Sequence, residues 1–225
     1  GKEVRSGQIL WNLGEVNMAL CQYQNAFDSL SEARKLFERI QNYEELVDVL
    51  FMLGKLYFKI GFYNKLEETF VEFNSNYSKL SASNNFEILR EFIGQWVLFG
   101  NSKLVSTEKL RMISEEFFKR EDGKNFLESS FLLIKLLIQQ SRYNEAIEEM
   151  NRSKLVELCS QNSILEAERE YFLGIISENF TSDSLLPPLV YFEKAYELIK
   201  DENISELTWK VLFEISELYI ERGNL

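Results

Sequence analysis

Apolar residues recur at helical spacing along almost the whole chain, with short polar turns between the apolar stretches. Leu30 with Ala33 and Phe70 with Phe73 are two such pairs. Residues three positions apart lie on the same face of an α-helix. Only 10 glycines and 2 prolines interrupt the 225 residues, which favours long helices. The pattern therefore predicts an all-α protein.

The apolar pattern repeats with a period of 40 residues. The period is marked by Gly14, Gly54, Gly94, Leu133-Ile134 and Leu173-Gly174, and a sixth start at Ile215-Ser216 is offset by two residues. In most repeats a turn is followed by an aromatic residue and, three positions later, by a small or aliphatic one, as in Tyr23 with Ala26. Each repeat is thus predicted to be a helix–turn–helix hairpin. First helices are predicted near 3–20, 44–60, 84–100, 124–140, 163–179 and 205–221, and second helices near 24–41, 63–80, 103–119, 143–159 and 186–200.

The small residues of the repeat have a packing explanation. Glycine in a helix interior costs roughly 1 kcal/mol relative to alanine, so glycine that recurs in a helical frame implies a compensating contact. We expect the glycines at 14, 54, 94 and 174 to let the two helices of a hairpin approach closely, with Ala26 and Ala146 doing the same from the facing helix.

This frame resembles the tetratricopeptide repeat, which has a Leu-Gly pair in the first helix, a tyrosine about nine residues later, and small residues in the second helix. The segment from Asn12 and the segment from Met52 match best, and VLFGNSKLVSTEKL in the third repeat lacks the tyrosine and the alanine. The resemblance implies a right-handed superhelical array of antiparallel hairpins. Residues 1–225 would form a single array of about five hairpins plus the first helix of a sixth. The resemblance also implies a concave groove, lined by the first helices of the repeats, that binds a polypeptide.

Two sets of equivalent positions in successive first helices, here called columns, would face that groove if the chain follows the family pattern. The first is Trp11, Phe51, Glu91, Phe131, Tyr171 and Phe213, and the second is Met18, Phe58, Leu98, Ile138, Glu178 and Ile220. The columns either form an aromatic surface that contacts a partner or belong to the ordinary core between hairpins. The sequence leaves both possibilities open. Glu91 and Glu178 interrupt the apolar columns, and Lys55 and Lys135 lie nearby, where they could hold a ligand carboxylate. The candidate partner-binding residues are therefore Trp11, Phe51, Glu91, Phe131, Tyr171, Phe58, Lys55, Lys135 and Glu178.

Charge and composition narrow the function classes. The net charge of −11 disfavours nucleic acid and anionic membranes as partners. The chain has no histidine and no phosphate-binding loop, so we expect no enzyme activity, no metal and no cofactor. Two cysteines and the lack of a long apolar run favour the cytoplasm.

These observations predict a scaffold or adaptor that binds a protein or peptide. A regulatory sensor for a signalling peptide and an architectural subunit of a large complex are the alternatives. The segment 205–221 is apolar around most of its circumference, whereas a capping helix needs a polar outer face. We therefore expect a fragment of a longer array, with self-association through its exposed ends.

Overall fold

The computed structural model describes residues 1–80, 86–182, 184–202 and 205–221. Helices account for 81% of these residues, and none of them lies in a β-strand. The chain divides into two compact units, Gly1–Ser106 (unit 1) and Thr107–Leu225 (unit 2). The predicted all-α class is confirmed.

Unit 1 contains the first five described helices. They are α1 (Lys2–Ala19), α2 (Tyr23–Arg39), α3 (Tyr43–Lys59), α4 (Tyr63–Tyr77) and α5 (Glu87–Gly100). Helices α1 and α2 form one hairpin and α3 and α4 a second, while α2 packs on α3 and α5 contacts α3 and α4. Residues 84 and 85 of the predicted helix 84–100 lie outside the described residues.

Unit 2 contains the remaining described helices. They are α6 (Thr107–Lys119), α7 (Gly123–Gln139), α8 (Tyr143–Met150), α9 (Ser153–Ser160), α10 (Ser163–Asn179), α11 (Pro188–Ile199) and α12 (Ser205–Glu221). Helix α7 packs on α6 and α8, α10 on α9 and α11, and α11 on α12. Contacts between helices that follow one another in sequence fit a helical repeat array in each unit.

Buried apolar stripes hold the hairpins together. On α2 the stripe consists of Ala26, Leu30, Ala33 and Phe37, all fully buried. Their spacing of four, three and four residues places them on one helix face. Burying a leucine or phenylalanine side chain contributes about 1.5–3 kcal/mol, which is why this face rather than helix propensity stabilises the hairpin.

The turns that follow four of the helices have the same backbone geometry. The residue after the C-cap is left-handed at Cys21, Gly61, Ser102 and Ser141, with φ of 56°, 76°, 52° and 57°. At the first of these, the amide of Gln22 donates to the carbonyl of Asn17 and the amide of Cys21 to that of Met18. This bonding pattern is the Schellman motif, which satisfies the last carbonyls of a helix.

Three of the first helices begin with a side-chain cap at repeat-related positions. The carboxamide or carboxylate oxygens of Asn42, Asp122 and Asn162 accept hydrogen bonds from backbone amides in the first turns of α3, α7 and α10. Each cap satisfies amides that have no partner within the helix.

The predicted second helix 143–159 is wrong, because it is broken into α8 and α9 at Asn151 and Arg152. The guanidinium of Arg169 on α10 donates from Nε to the carbonyl oxygen of Met150 at 3.3 Å. A cation at the end of α8 satisfies a free carbonyl and opposes the negative end of the helix dipole. Asparagine and serine, at positions 151 and 153, form helix less readily than alanine or leucine, so local sequence does not oppose the break.

Another helix approaches closely at three of the four predicted glycines, and at two of them, Gly14 and Gly174, that helix is the expected hairpin partner. A Cβ at Gly14 would meet Leu30 of α2, one at Gly174 would meet Phe192 of α11, and one at Gly54 would meet Ile93 of α5. The neighbour of Gly54 is therefore chiefly the next first helix rather than its hairpin partner. At Gly94 the prediction is wrong, since the nearest atom, Cζ of Phe70, would lie at an ordinary 3.5 Å.

Candidate partner-binding surface

Phe51 and Phe58 of α3 belong to an aromatic cluster with Phe92 and Trp96 of α5. The rings of Phe51 and Phe58 both stack on the indole of Trp96, with centroid distances of 5.2 and 5.5 Å. Phe51 is only 4% exposed, whereas Phe58 is half-buried. Phe51 is thus packed between α3 and α5. The two columns did not include Trp96, which lies two positions after Gly94.

The other candidates of unit 1 are half-buried polar or amphipathic side chains. The indole Nε1 of Trp11 is buried and has no hydrogen-bond acceptor among the described residues. Glu91 lies 3.4 Å from the guanidinium of its neighbour Arg90. Lys55 is half-buried on α3. Their part in partner binding stays a prediction.

In unit 2, Phe131 of α7 and Tyr171 of α10 differ in burial. Phe131 is 7% exposed and stacks on Phe172 at 5.8 Å. Tyr171 is half-buried, with its ring 5.7 Å from Phe172 and 5.9 Å from Phe192 of α11. The phenylalanine therefore has a packing role, while the tyrosine is only partly covered.

Lys135 of α7 lies among charges from other helices. Partial desolvation, and next the ammonium of Lys210 on α12, lower the pKa of Lys135, while Glu206 and Glu168 oppose this effect. The ammonium groups of α7 and α12 are thus close enough to repel each other in unit 2. The part of Lys135 in holding a ligand carboxylate stays a prediction.

Helices α10 and α12 bring together one phenol and three carboxyl groups, here called the acidic group. Its members are Tyr171, Glu178, Glu214 and Glu221. Desolvation, the charge of Glu214 and the hydrogen bond with it raise the pKa of Tyr171 to about 12. Desolvation and then the charge of Glu221 raise the pKa of Glu178. Desolvation and then the charge of Glu178 raise the pKa of Glu214. These carboxylates therefore repel one another across the two helices.

Beside the acidic group, α12 exposes a row of large apolar side chains, here called the α12 stripe. It consists of Trp209, Leu212, Phe213 and Ile220, which are 72%, 44%, 52% and 57% exposed. The opposite face of α12 is buried, since Val211 and Leu218 join a core with Phe192 of α11. A shallow recess of about 420 Å³ lies along the stripe and is lined by Glu206, Trp209, Lys210, Phe213 and Glu214.

None of the four residues of the α12 stripe was among the nine candidates. Phe213 and Ile220 stand in the two columns, but Trp209, Leu212 and Glu214 lie outside them. The signal in the sequence was the apolar circumference of residues 205–221, and the exposure of the stripe agrees with it.

Unit 1 exposes a second apolar row on α1. It consists of Ile9, Leu13 and Val16 of α1 with Leu20, the C-cap residue of that helix, each at least 47% exposed. Unlike the α12 stripe, this row contains no aromatic ring. Aromatic residues dominate binding energy at protein interfaces, so the α12 stripe is the stronger candidate.

A cavity of about 250 Å³ lies between α8, α10 and α11. Its most buried charge is Glu170, which is 2% exposed and accepts from Nζ of Lys194 at 2.6 Å and from Arg169 at 3.3 Å. The charges of this cavity are paired with one another. The cavity therefore has a structural explanation as the site of a buried ion network.

No protein-family model matches the chain, and neither curated proteins nor solved structures offer a match to it. Within the described ranges, no three cysteine, aspartate or glutamate side chains are grouped so that they could hold a metal ion. None of the described helices is both long enough and apolar enough to cross a membrane.

Proposed function

We propose that this protein is a scaffold or adaptor that binds a polypeptide segment, with the α12 stripe as the centre of the binding surface. The observation that carries the proposal is the exposure of Trp209, Leu212, Phe213 and Ile220 on one helix. Contiguous apolar surface of this kind is rare on soluble monomers and marks interaction sites. Tryptophan at 72% exposure is the type of residue that anchors a partner.

The spacing of the stripe favours a helical or extended peptide over a small molecule. The stripe covers twelve positions, which is about 16 Å at 1.5 Å per residue. The recess beside it is open and shallow, whereas small-molecule sites enclose most of the ligand surface.

We further propose that the two units belong to one tetratricopeptide-like array over residues 1–225 with a right-handed superhelical course. Left-handed turns at Cys21, Gly61, Ser102 and Ser141, which recur at intervals of 39 to 41 residues, support this proposal. Small-angle X-ray scattering tests it: a continuous array gives an elongated curved particle, and two separately tumbling bodies would contradict it.

A reducing compartment such as the cytoplasm suits this proposal. Cys21 and Cys159 are free thiols. Burial raises the pKa of Cys159 to about 12, so its thiol is protonated and unreactive at neutral pH.

The experiment is affinity capture from a lysate of the native cell with the parent protein and with Trp209→Ala/Phe213→Ala. Both side chains are more than half exposed, so the variant should fold normally while its partner is lost. Leu104→Ala/Met112→Ala is a matched control, because these side chains are 90% and 69% exposed and do not belong to α12.

The result distinguishes between the three functions that the sequence suggests. A protein retained by the parent and the control but lost from the double variant supports a scaffold, and a short peptide with the same dependence supports a sensor. A protein retained by all three would indicate an architectural subunit that binds elsewhere. Capture of nothing by the parent contradicts the proposal.

A further inference from the structure

The α12 stripe has the shape of a helix-to-helix seam. Measured from Trp209 at 100° per residue, Leu212, Phe213, Ser216 and Ile220 all fall within an arc of about 100°. Positions 209, 213, 216 and 220 have the alternating spacing of four and three residues found where two helices pack along their length. The stripe therefore matches the apolar face of another amphipathic helix.

One edge of the stripe is acidic. Glu206, Glu217 and Glu221 fall on the same side of it, with Glu214 behind them and Glu178 contributed by α10. Glu206 is paired with Lys210 at 2.7 Å. None of the other four carboxylates forms an ion pair with a described residue. The edge therefore has a surplus of negative charge directly beside the apolar side chains.

At Glu214 the acidic edge of α12 faces α10. Tyr171 and Glu178 of α10 lie close to Glu214 there. Desolvation raises the pKa values of both carboxyl groups, and so do the charge of Glu221 at Glu178 and the charge of Glu178 at Glu214. A cation held between the two carboxylates would relieve the repulsion and replace lost solvation. The ring of Tyr171 offers an apolar wall for the stem of a long basic side chain.

We propose that the segment bound by the α12 stripe is a basic amphipathic helix, with its apolar face on Trp209 and Phe213 and a lysine or arginine between Glu178 and Glu214. This inference rests on the function proposed above and specifies the chemistry of the partner. A second copy of the chain fits less well, because the net charge of −11 would bring further carboxylates against an acidic edge.

The test uses two synthetic 18-residue peptides as probes. Both carry leucines on one helical face, with lysines on the polar face of one peptide and glutamates on that of the other. Isothermal titration calorimetry at about 0.15 M salt limits long-range attraction to the protein as a whole. We expect the lysine peptide to bind at least roughly tenfold more tightly than the glutamate peptide.

Site specificity is tested with Glu178→Gln/Glu214→Gln. This variant removes repulsion from the folded protein, so it should fold, and its affinity for the lysine peptide should fall roughly tenfold. Glu115→Gln/Glu148→Gln removes the same charge from exposed positions on α6 and α8 and is the matched control. Its affinity should change by less than about twofold, since those charges are screened from the stripe.

Failure of this inference can be distinguished from failure of the proposed function. Equal binding of the two peptides, lost in Trp209→Ala/Phe213→Ala, would overturn the basic character of the partner and leave the docking surface intact. Equal weakening by the two glutamine variants would show that only net charge matters, and would also overturn the inference. Binding of neither peptide, together with capture of no partner by the parent protein, would remove both.

Discussion

Among the described residues, five that are not glycine have left-handed backbone angles, and each follows the end of a helix. They are Cys21, Gln41, Ser102, Glu121 and Ser141, while Gly61 occupies the same position after α3. A left-handed conformation costs roughly 1 kcal/mol or more for a residue with a Cβ and almost nothing for glycine. The repeated turn is therefore made at most sites by residues that do not favour it.

Replacing one of these residues with glycine should stabilise the protein. For Gln41→Gly, at φ 54°, we expect the free energy of unfolding to rise by about 0.5–1 kcal/mol, as measured by urea denaturation. The control is Gln161→Gly, because Gln161 is also an exposed glutamine at a helix end but has φ of −85°. That change should be destabilising or neutral, and a gain in both variants would rule out the backbone explanation.

Asp48 of α3 is the most perturbed carboxyl group of unit 1. Burial, and then the charges of Glu45 and Glu44, raise its pKa from 3.8 to about 7. Between these two values the folded protein binds more protons at this site than the unfolded chain does. Its contribution to stability therefore falls as pH rises from about 4 to about 7.

Asp48→Asn should remove this pH dependence. We expect parent and variant to unfold at similar temperatures at pH 4, and the variant to be more stable at pH 8 by on the order of 2 kcal/mol. Calorimetry at both pH values measures the difference. Asp28→Asn, at an exposed residue of α2, makes the same charge change and should show no comparable divergence with pH. An unchanged difference between pH 4 and pH 8 would contradict the assignment.

At the scale of the elements, glycines at the same repeat position have different surroundings. At Gly174 of α10 a Cβ would lie 2.7 Å from Cδ1 of Phe192, whose ring is fully buried. At Gly94 of α5 the nearest atom is 3.5 Å away. The close approach thus belongs to particular helix pairs and not to the repeat as such.

The two glycines should respond to alanine in opposite directions. Gly174→Ala should lower the free energy of unfolding by roughly 1–3 kcal/mol, because the packed ring of Phe192 must move. Gly94→Ala should raise it by up to about 1 kcal/mol, since alanine favours helix and meets no close atom. Denaturation of both variants gives the comparison. Equal destabilisation of the two variants would contradict the ordinary contact distance between Gly94 and Phe70.

For the molecule as a whole, apolar exposure and charge act against each other. The α12 stripe and the apolar row on α1 favour association between copies, while the net charge of −11 opposes it. Charge repulsion is screened by salt, but apolar attraction is not.

Self-association, expected from the sequence, should therefore depend on salt. Light scattering should give the monomer mass of 26.5 kDa at about 0.05 M salt and a higher mean mass at about 0.5 M. Trp209→Ser/Phe213→Ser should restore the monomer at high salt, and Leu104→Ser/Met112→Ser should not. A monomer under all conditions would show that neither apolar row mediates association.

The helices, their approximate limits, their order and their recurring turns were predictable from the sequence because they depend on local spacing. An apolar residue every three or four positions selects the helix, and the polar residues between apolar stretches mark where the turns lie. The break at Asn151 was not predictable, because the bond that favours it comes from Arg169, eighteen positions away.

The candidate partner-binding residues show the same limit of prediction from sequence. Phe51 and Phe213 stand at equivalent repeat positions, yet their side chains are 4% and 52% exposed. Trp96 of α5 covers Phe51, whereas no described helix covers the stripe that contains Phe213. Periodicity determines which residues share a helix face. Only the tertiary structure decides which of those faces another helix covers, because coverage depends on residues distant in the chain.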